Sequence, residues 1–224
     1  LAYVFCGAER VRPETHDLLP GVAILEGYGA TEASPVIAVN TPQDNVQGTV
    51  GRVTPGIETR IEPIPGIAKG GRLFVRGPNI MSGYLREDGG VDAPEGGWHD
   101  TGDVVTVSDD LWITIKGRVK RFAKIGGEMV SLTAAEDLAS AVWPDGRHAV
   151  ISMPDKKKGE KLVLVTDCQN AAVTSLVAHA QSIGAPELAV PRKILKVMQV
   201  PVLGSGKTDY VAIQRMAETD TRAA

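Results

Sequence analysis

Residues 117–132 read GRVKRFAKIGGEMVSL and join two halves of the chain that differ in character. A run of basic residues is followed at once by a glycine pair: Arg118, Lys120, Arg121 and Lys124, then Gly126 and Gly127. If the stretch is one strand, Arg118, Lys120 and Lys124 share a face, because side chains alternate with period two. Such a basic strand running into a glycine loop predicts contact with an anionic ligand. The alternative is a solvated strand edge, where lysines are common.

The half before this stretch reads as a series of short strands. Residues 1–40 contain three apolar runs, LAYVF, GVAIL and PVIAV, bounded by glycine, proline or asparagine. They predict buried strands with loops at their ends. Residues 46–117 alternate strand-like pieces with turn clusters, which predicts a compact all-β unit resembling a small barrel.

The half after Gly117 mixes helices and strands. Thr133 followed by Glu136 matches a capping box and predicts a helix over about 134–142. HAVISM and LVLVT predict strands, AAVTSLVAHAQSI predicts a helix ended by Gly184, and RKILKVMQV predicts a further strand. We therefore expect an α+β unit over 118–224, separate from 1–117, and the short polar join at 116–120 suggests a hinge.

Composition and charge narrow the class of protein. The chain has 224 residues, of which 43% are apolar and 23% charged, and it contains no eighteen-residue apolar run that could span a membrane. Its two cysteines lie far apart in sequence, which predicts neither a disulfide framework nor a zinc site. Lys and Arg number 9 against 16 acids in residues 1–117, but 15 against 11 in residues 118–224. The basic half suits an anionic partner such as a nucleotide or a phosphorylated carrier, and we expect no nucleic-acid partner.

Two stretches of the first half carry residues suited to ligand binding. LEGYGATEASP, residues 25–35, places Tyr28, Thr31 and Glu32 on a glycine-bounded loop after a strand. There Tyr28 can stack on a planar base, Thr31 can hydrogen-bond a phosphate and Glu32 can hold Mg²⁺. GGWHDTGDV, residues 96–104, supplies Asp103, which can accept both hydroxyls of a ribose. The alternatives are a turn with an incidental acid and an Asx-turn, and composition alone favours both.

The segment PVLGSGKTDY, residues 201–210, raises a different question through Gly206, Lys207 and Thr208. These residues match the end of a phosphate-binding P-loop, but that pattern requires a glycine where Pro201 stands. No βαβ core can follow so close to the end of this sequence. Lys207 therefore serves another chemistry or is a solvated turn lysine.

Taken together, the blocks resemble a known superfamily. GYG-x-TE, W-x-x-TGD, GR-x-K and a late GSGK occur in this order in the adenylate-forming enzymes: acyl-CoA synthetases, luciferases and peptide synthetase adenylation domains. GRVKRFAKIGGEMVSL, PNIMSGYLR, PELAVPR and PVLGSGK further resemble the ligase part of the bacterial bifunctional acyl-[acyl-carrier-protein] synthetase/2-acylglycerophosphoethanolamine acyltransferases. Leu132 stands where ordinary acyl-CoA ligases usually have proline, and Tyr210 where many relatives have arginine.

The resemblance implies a fold and a role for each matching residue. The fold would be the end of a large α/β N-terminal domain with a small barrel-like subdomain, followed by a hinged α+β C-terminal domain. ATP or AMP would lie along Gly7, Ala8 and Glu9, with Tyr28 and Gly29 at the adenine, Thr31 at the α-phosphate, Glu32 on Mg²⁺, and Asp103 and Arg118 on the ribose. The second half would contribute Lys120 as the hinge, Lys124 with Gly126 and Gly127 near the pantetheine, and Lys207 as the adenylation lysine.

The implied reaction converts a fatty acid and ATP to acyl-AMP, then to a thioester on the phosphopantetheine of acyl-carrier protein. In the bifunctional relatives the acyl group passes on to a lysophospholipid, at the cytoplasmic face of the bacterial inner membrane. An acyl-CoA ligase and a non-catalytic docking module are the alternatives. The loop that grips the triphosphate and the acyltransferase domain of the resembled family are absent from these residues. We therefore expect the C-terminal part of a larger enzyme, inactive alone.

Overall fold

The computed structural model describes residues 1–9, 11 and 13–223. It divides into two compact units, Leu1–Val119 and Lys120–Ala224. Within the described part of the chain, no helix is long and apolar enough to cross a membrane.

In the described residues of the first unit there are ten strands and one short α-helix. In chain order they are β1 (Tyr3–Cys6), α1 (Pro13–Asp17), β2 (Ala23–Gly29), β3 (Val36–Val39), β4 (Arg52–Val53), β5 (Glu58–Glu62), β6 (Gly71–Arg76), β7 (Tyr84–Leu85), β8 (Val91–Asp92), β9 (His99–Val107) and β10 (Ile113–Arg118). One sheet has the order β1-β2-β3-β4, with β1 and β2 parallel and the other pairs antiparallel. The parallel pair brings the ends of β1 and β2 side by side.

The second sheet of this unit is open, so the barrel expectation is wrong. Its order is β10-β9-β6-β5, and within the described chain the two outer strands do not pair. Side chains alternate along β6, where Leu73 and Val75 are fully buried. They form one core with Ile37 and Ala38 of β3. Because the first sheet already covers this apolar face, the sheet does not have to close on itself to bury it.

The second unit is an α+β layer structure. Its elements are β11 (Phe122–Ile125), β12 (Glu128–Ser131), α2 (Leu132–Val142), β13 (His148–Asp155), β14 (Gly159–Thr166), α3 (Val173–Ser182), β15 (Lys193–Lys196) and α4 (Tyr210–Ala223). The strand order is β12-β11-β14-β13, and β15 pairs with β14 in parallel. Val150 and Leu164 face α2 and α3, whereas Ile151 and Val163 face α4. Helices on both faces explain why β13 and β14 read as continuous apolar runs.

Two local predictions for this unit are wrong. Helix α2 begins at Leu132, and its N-cap is Ser131, whose hydroxyl accepts the Ala134 amide at 3.2 Å. The predicted capping box on Thr133 does not form, because the Glu136 carboxylate points to other partners described below. The last predicted strand is also shorter than RKILKVMQV and covers only Lys193–Lys196.

The opening stretch 117–132 is not one strand. Strand β10 ends at Arg118 after a register shift near Gly117, whose φ is +144°, a 3₁₀ turn covers Val119–Arg121, and β11 then begins at Phe122. The expected single face is therefore wrong: Arg118 ends one strand, Lys120 lies in the turn, and Lys124 lies on the next strand. A turn between them removes the period-two relation.

Candidate active site

A buried carboxylate, that of Asp103, is bonded by two other residues singled out in the sequence, Tyr28 and Arg118. Asp103, on β9, is only 5% exposed. Its Oδ2 accepts the Tyr28 hydroxyl at 2.5 Å, and its Oδ1 accepts Arg118 Nε at 3.1 Å. Tyr28 comes from the end of β2 and Arg118 from the end of β10, so residues distant in sequence meet at one carboxylate.

Burial raises the pKa values of both Asp103 and Tyr28. Desolvation raises the pKa of Asp103 above its ordinary value, while the Tyr28 hydroxyl and the Arg118 cation oppose the rise. Burial also raises the pKa of Tyr28, and the charge of Asp103 adds to that rise. Tyr28 therefore remains a protonated donor at neutral pH. The Arg118 side chain is 75% exposed, which leaves the cation open to an anionic ligand beside the carboxylate.

The turn after β2 is shaped by a close backbone approach. A Cβ on Gly29 would lie 1.8 Å from the Pro35 carbonyl oxygen, so only glycine fits there. The Ala30 amide donates to that same oxygen at 2.8 Å and closes the loop. A single 3₁₀ turn, Thr31–Ala33, follows, with Thr31 exposed at its start. The loop thus presents Thr31 and Glu32 one after the other.

Glu32 is held as an anion. Its Oε1 accepts the Tyr84 hydroxyl at 2.6 Å, and this bond is the main cause that lowers the pKa of Glu32. The described residues contain no group of three or more His, Cys, Asp or Glu side chains that could enclose a metal ion. Mg²⁺ commonly uses one or two carboxylates together with substrate phosphates and water, so a single ionised Glu32 fits such a shared site.

Gly7, Ala8 and Glu9 lie directly after β1, next to the neighbouring strand β2. Cys6 pairs with Glu26 in the parallel register, and a Cβ on Gly7 would lie 3.6 Å from the Gly27 oxygen. Ala8 has φ of +68°, a conformation unusual for a residue other than glycine. The carboxyl ends of parallel strands are where α/β sheets bind ligands.

In the second unit, the glycine pair forms a tight hairpin turn. Ile125 pairs with Glu128 across Gly126 and Gly127, whose φ values of +60° and +96° match the two-residue turn that glycines favour. The turn is exposed, and so is Lys124 on β11 before it. The Gly126 amide donates to the Lys158 carbonyl at 2.9 Å, which ties this turn to the hairpin between β13 and β14.

Lys207 lies in an exposed turn that is not a P-loop. The Leu203 amide donates to the Lys207 carbonyl at 2.8 Å, and the Gly206 amide donates to the Leu203 carbonyl at 2.8 Å. Gly206 has φ of +83°, and Val202 bridges Thr208. Helix α4 begins only at Tyr210, so its N-terminus does not open on Gly206 and Lys207 as a P-loop requires.

Sequence reasoning missed two residues that set this geometry. Tyr84, within the quoted PNIMSGYLR, is the hydrogen-bond donor to Glu32. Glu136 fits the pattern of a helix cap in sequence, but it accepts three hydrogen bonds inside the second unit. Neither role leaves a local sequence signal, because the partners lie far along the chain.

Comparison with known proteins assigns a class. Residues 1–85 match the model of a family described as AMP-binding enzyme. The chain is 32% identical over 177 residues to a long-chain-fatty-acid–CoA ligase of Yersinia pestis, covering 75% of this chain and 31% of that protein. It is 29% identical over 221 residues to a medium-chain-fatty-acid–CoA ligase of Ectopseudomonas oleovorans, covering 90% of this chain and 40% of that protein. The chain spans less than half the length of either relative.

Solved structures agree with this class. ATP-bound MatB from Rhodopseudomonas palustris superposes with a TM-score of 0.78 at 25% identity, covering 95% of this chain and 44% of that one. A variant of the amide bond synthetase Mcba from Marinactinospora thermotolerans superposes with a TM-score of 0.79 at 27% identity. The match covers 96% of this chain and 47% of that one. The chain belongs to the AMP-binding enzyme family, which is the adenylate-forming superfamily.

Proposed function

We propose that this chain is part of an ATP-dependent, AMP-forming acyl ligase that acts on fatty acids. In the first half-reaction a carboxylate oxygen attacks the α-phosphorus of ATP, and the bond to pyrophosphate breaks. In the second, a thiol sulfur attacks the acyl carbon, the bond to AMP breaks and the thiol proton is released. The products are a thioester, AMP and pyrophosphate.

The observation that carries this proposal is the buried carboxylate of Asp103 with Tyr28 and Arg118 around it. A carboxylate held this way is a strong acceptor for the two hydroxyls of a ribose. The partly buried Tyr28 ring would be the surface on which adenine stacks. Thr31 would then bond the α-phosphate, and Glu32 would hold Mg²⁺, which supplies charge neutralisation to the phosphates.

The basic residues of the second unit complete the proposal. Lys207, on its short turn, would stabilise the negative charge that develops as the carboxylate attacks the α-phosphate. Lys120 would be the hinge, and Lys124 with the Gly126–Gly127 turn would serve the thioester-forming state. These roles come from the resemblance, and the exposure of each lysine is compatible with them.

The thiol acceptor that we propose is CoA. The curated relatives above are named as CoA ligases, which favours CoA over acyl-carrier protein. A second observation fits an acceptor that carries phosphates. The hairpin tied to the Gly126 amide contains the run Lys156–Lys158, and Lys161 follows on β14. The two acids beside them, Asp155 and Glu160, already accept hydrogen bonds from backbone amides.

The carrier-protein proposal rests on the sequence resemblance alone. Transfer to a lysophospholipid and association with the inner membrane belong to that proposal and depend on it. A docking module without catalysis is a third reading. The ionised Glu32 and the buried Asp103 argue against it, because a surface that only docks a partner has no need of either.

The test is a pair of assays on the complete gene product. Exchange of labelled pyrophosphate into ATP is expected only when a fatty acid is present, and thioester formation is expected with CoA. Thioester formation on holo-acyl-carrier protein and not on CoA would move the assignment to the carrier-protein ligase. Nucleotide binding without exchange, across fatty acids of several chain lengths, would contradict the ligase proposal.

A further inference from the structure

A largely buried polar network connects four segments of the second unit: the 3₁₀ turn that ends at Arg121, α2, β13 and α4. Glu136 on α2 accepts the Arg121 guanidinium at 2.6 Å, the Val150 amide at 2.8 Å and the Tyr210 hydroxyl at 3.0 Å. Arg121 also donates to the Val150 carbonyl at 3.0 Å, and its guanidinium carbon lies 3.9 Å from the centre of the Tyr210 ring. The Arg121 and Glu136 side chains are 17% and 14% exposed.

Part of this network satisfies an unpaired strand edge. Strand β13 is the outer strand beyond β14, so within the described chain the amide and carbonyl of Val150 have no strand partner on that side. Arg121 and Glu136 bond that carbonyl and that amide respectively. Protection of the β13 edge therefore explains the Arg121–Glu136 ion pair, but it does not explain the hydrogen bond from Tyr210 to Glu136.

Tyr210 links the network to the turn that carries Lys207. It is the first residue of α4, three positions after Lys207. The Asp209 carboxylate between them accepts the Val211 and Ala212 amides at 3.1 and 3.0 Å, so this helix start is capped. Only Thr208 and Asp209 separate the anchored tyrosine from the lysine. At the other end, Arg121 directly follows Lys120.

We propose that Glu136 and Tyr210 are positioning residues for Lys207. They join its turn to the segment after Lys120, so that the lysine and the sheet move as one body. This inference rests on the proposed adenylation role of Lys207. Neither residue touches substrate in this proposal; both act through the position of the turn.

The side-chain chemistry gives a graded set of variants. Tyr210→Phe keeps the ring over Arg121 and removes the hydroxyl with its bonds to Glu136 and to the Thr208 side chain. Tyr210→Leu removes the contact of the ring with Arg121 as well. Burial and the charge of Glu136 raise the pKa of Tyr210 to about 12, so the hydroxyl is a donor throughout the assay range. The matched control is Glu187→Gln, which breaks the exposed pair of Glu187 with Arg192.

The first measurement is hydrogen exchange of the purified chain, which does not depend on activity. Because the Leu203 and Gly206 amides close the Lys207 turn, their exchange should speed up about tenfold in Tyr210→Phe and further in Tyr210→Leu. Amides in the core of β14 should change little in Tyr210→Phe. Unchanged exchange at Leu203 and Gly206 would overturn the proposal, whatever the enzyme does.

The second measurement separates the two half-reactions in the complete gene product. Tyr210→Phe should lower acyl-AMP formation about tenfold and leave thioester formation from supplied acyl-AMP within about twofold, since a misplaced group slows only the step it serves. Equal loss in both half-reactions would indicate a structural role and overturn the inference. If the unaltered protein forms no acyl-AMP, the ligase proposal fails, and the exchange result still decides the anchoring of the turn.

Discussion

The hydrogen bond from Tyr28 to Asp103 offers a direct test of the candidate site. Tyr28→Phe keeps the ring in the apolar cluster of the first unit and removes only the hydroxyl. Among the described residues, Asp103 then keeps Arg118 as its one side-chain donor, and it remains buried. A hydrogen bond to a charged group contributes about 1.5–3 kcal/mol, so we expect the free energy of unfolding of the first unit to fall by about 2 kcal/mol at pH 7.

The pH dependence gives this expectation a sign. The Tyr28 bond lowers the pKa of Asp103, so its loss raises a pKa that desolvation has already moved above 3.8. When a carboxyl group has a higher pKa in the folded protein than in the unfolded chain, the free energy of unfolding declines as pH rises through the pKa of the folded protein. That decline becomes larger in the variant. The difference between parent and variant should therefore be greatest at neutral pH and shrink on acidification.

The assay is urea denaturation monitored through hydrogen exchange at the β9 amides. This readout reports on the first unit separately from the second. Tyr3→Phe is the matched control, because Tyr3 is 45% exposed and its hydroxyl has no hydrogen-bond partner among the described residues. Tyr28→Phe should cost much less in an Asp103→Asn background, where the charge is gone. The same cost in both backgrounds would show that the hydroxyl acts elsewhere and refute the reasoning.

Three further outcomes are expected. Gly29→Ala should destabilise the first unit by about 3 kcal/mol, since the new Cβ would lie 1.8 Å from a carbonyl oxygen, whereas Gly204→Ala, with nothing within 4 Å, should be neutral in the same urea titration. Desolvation raises the pKa of Glu136 above 4.5. The free energy of unfolding of the parent, relative to that of Glu136→Gln, should therefore decline as pH rises from 4.5 through the pKa of the folded protein, as measured by parallel urea titrations. A difference that does not change with pH would count against this. In the complete gene product, Lys157→Ala with Lys158→Ala should raise the KM for CoA but not for the fatty acid; equal changes in both would contradict phosphate recognition by the hairpin.

Much of the fold could be read from local pattern. The mixed α/β class is confirmed, because strand and helix periods and glycine turns are short-range signals. The Gly126–Gly127 turn is one such signal, since two adjacent glycines can adopt positive φ without strain. Barrel closure is different: it depends on whether two outer strands pair, and neither strand encodes that choice alone.

The site shows the same division between what is local and what is not. The order of the sequence blocks singles out Tyr28 and Asp103, but only the fold shows that a hydrogen bond joins the two side chains. Tyr84 meets Glu32 across 52 positions, and no spacing rule predicts that contact. Likewise, the register shift near Gly117 and the 3₁₀ turn after it separate Arg118, Lys120 and Lys124, which a simple alternation would have aligned.

The failed capping box is the most informative of these differences. Thr133 and Glu136 satisfy the local rule, yet the carboxylate bonds residues 15, 14 and 74 positions away, and Ser131 caps the helix instead. A buried carboxylate is costly to desolvate, and burial does raise the pKa of Glu136. Three converging donors offset that cost, and one of them is the tyrosine next to the Lys207 turn. Departures from a local sequence rule, such as this capping box that does not form, are expected at functional sites. This is the reason for connecting Glu136 with the position of Lys207.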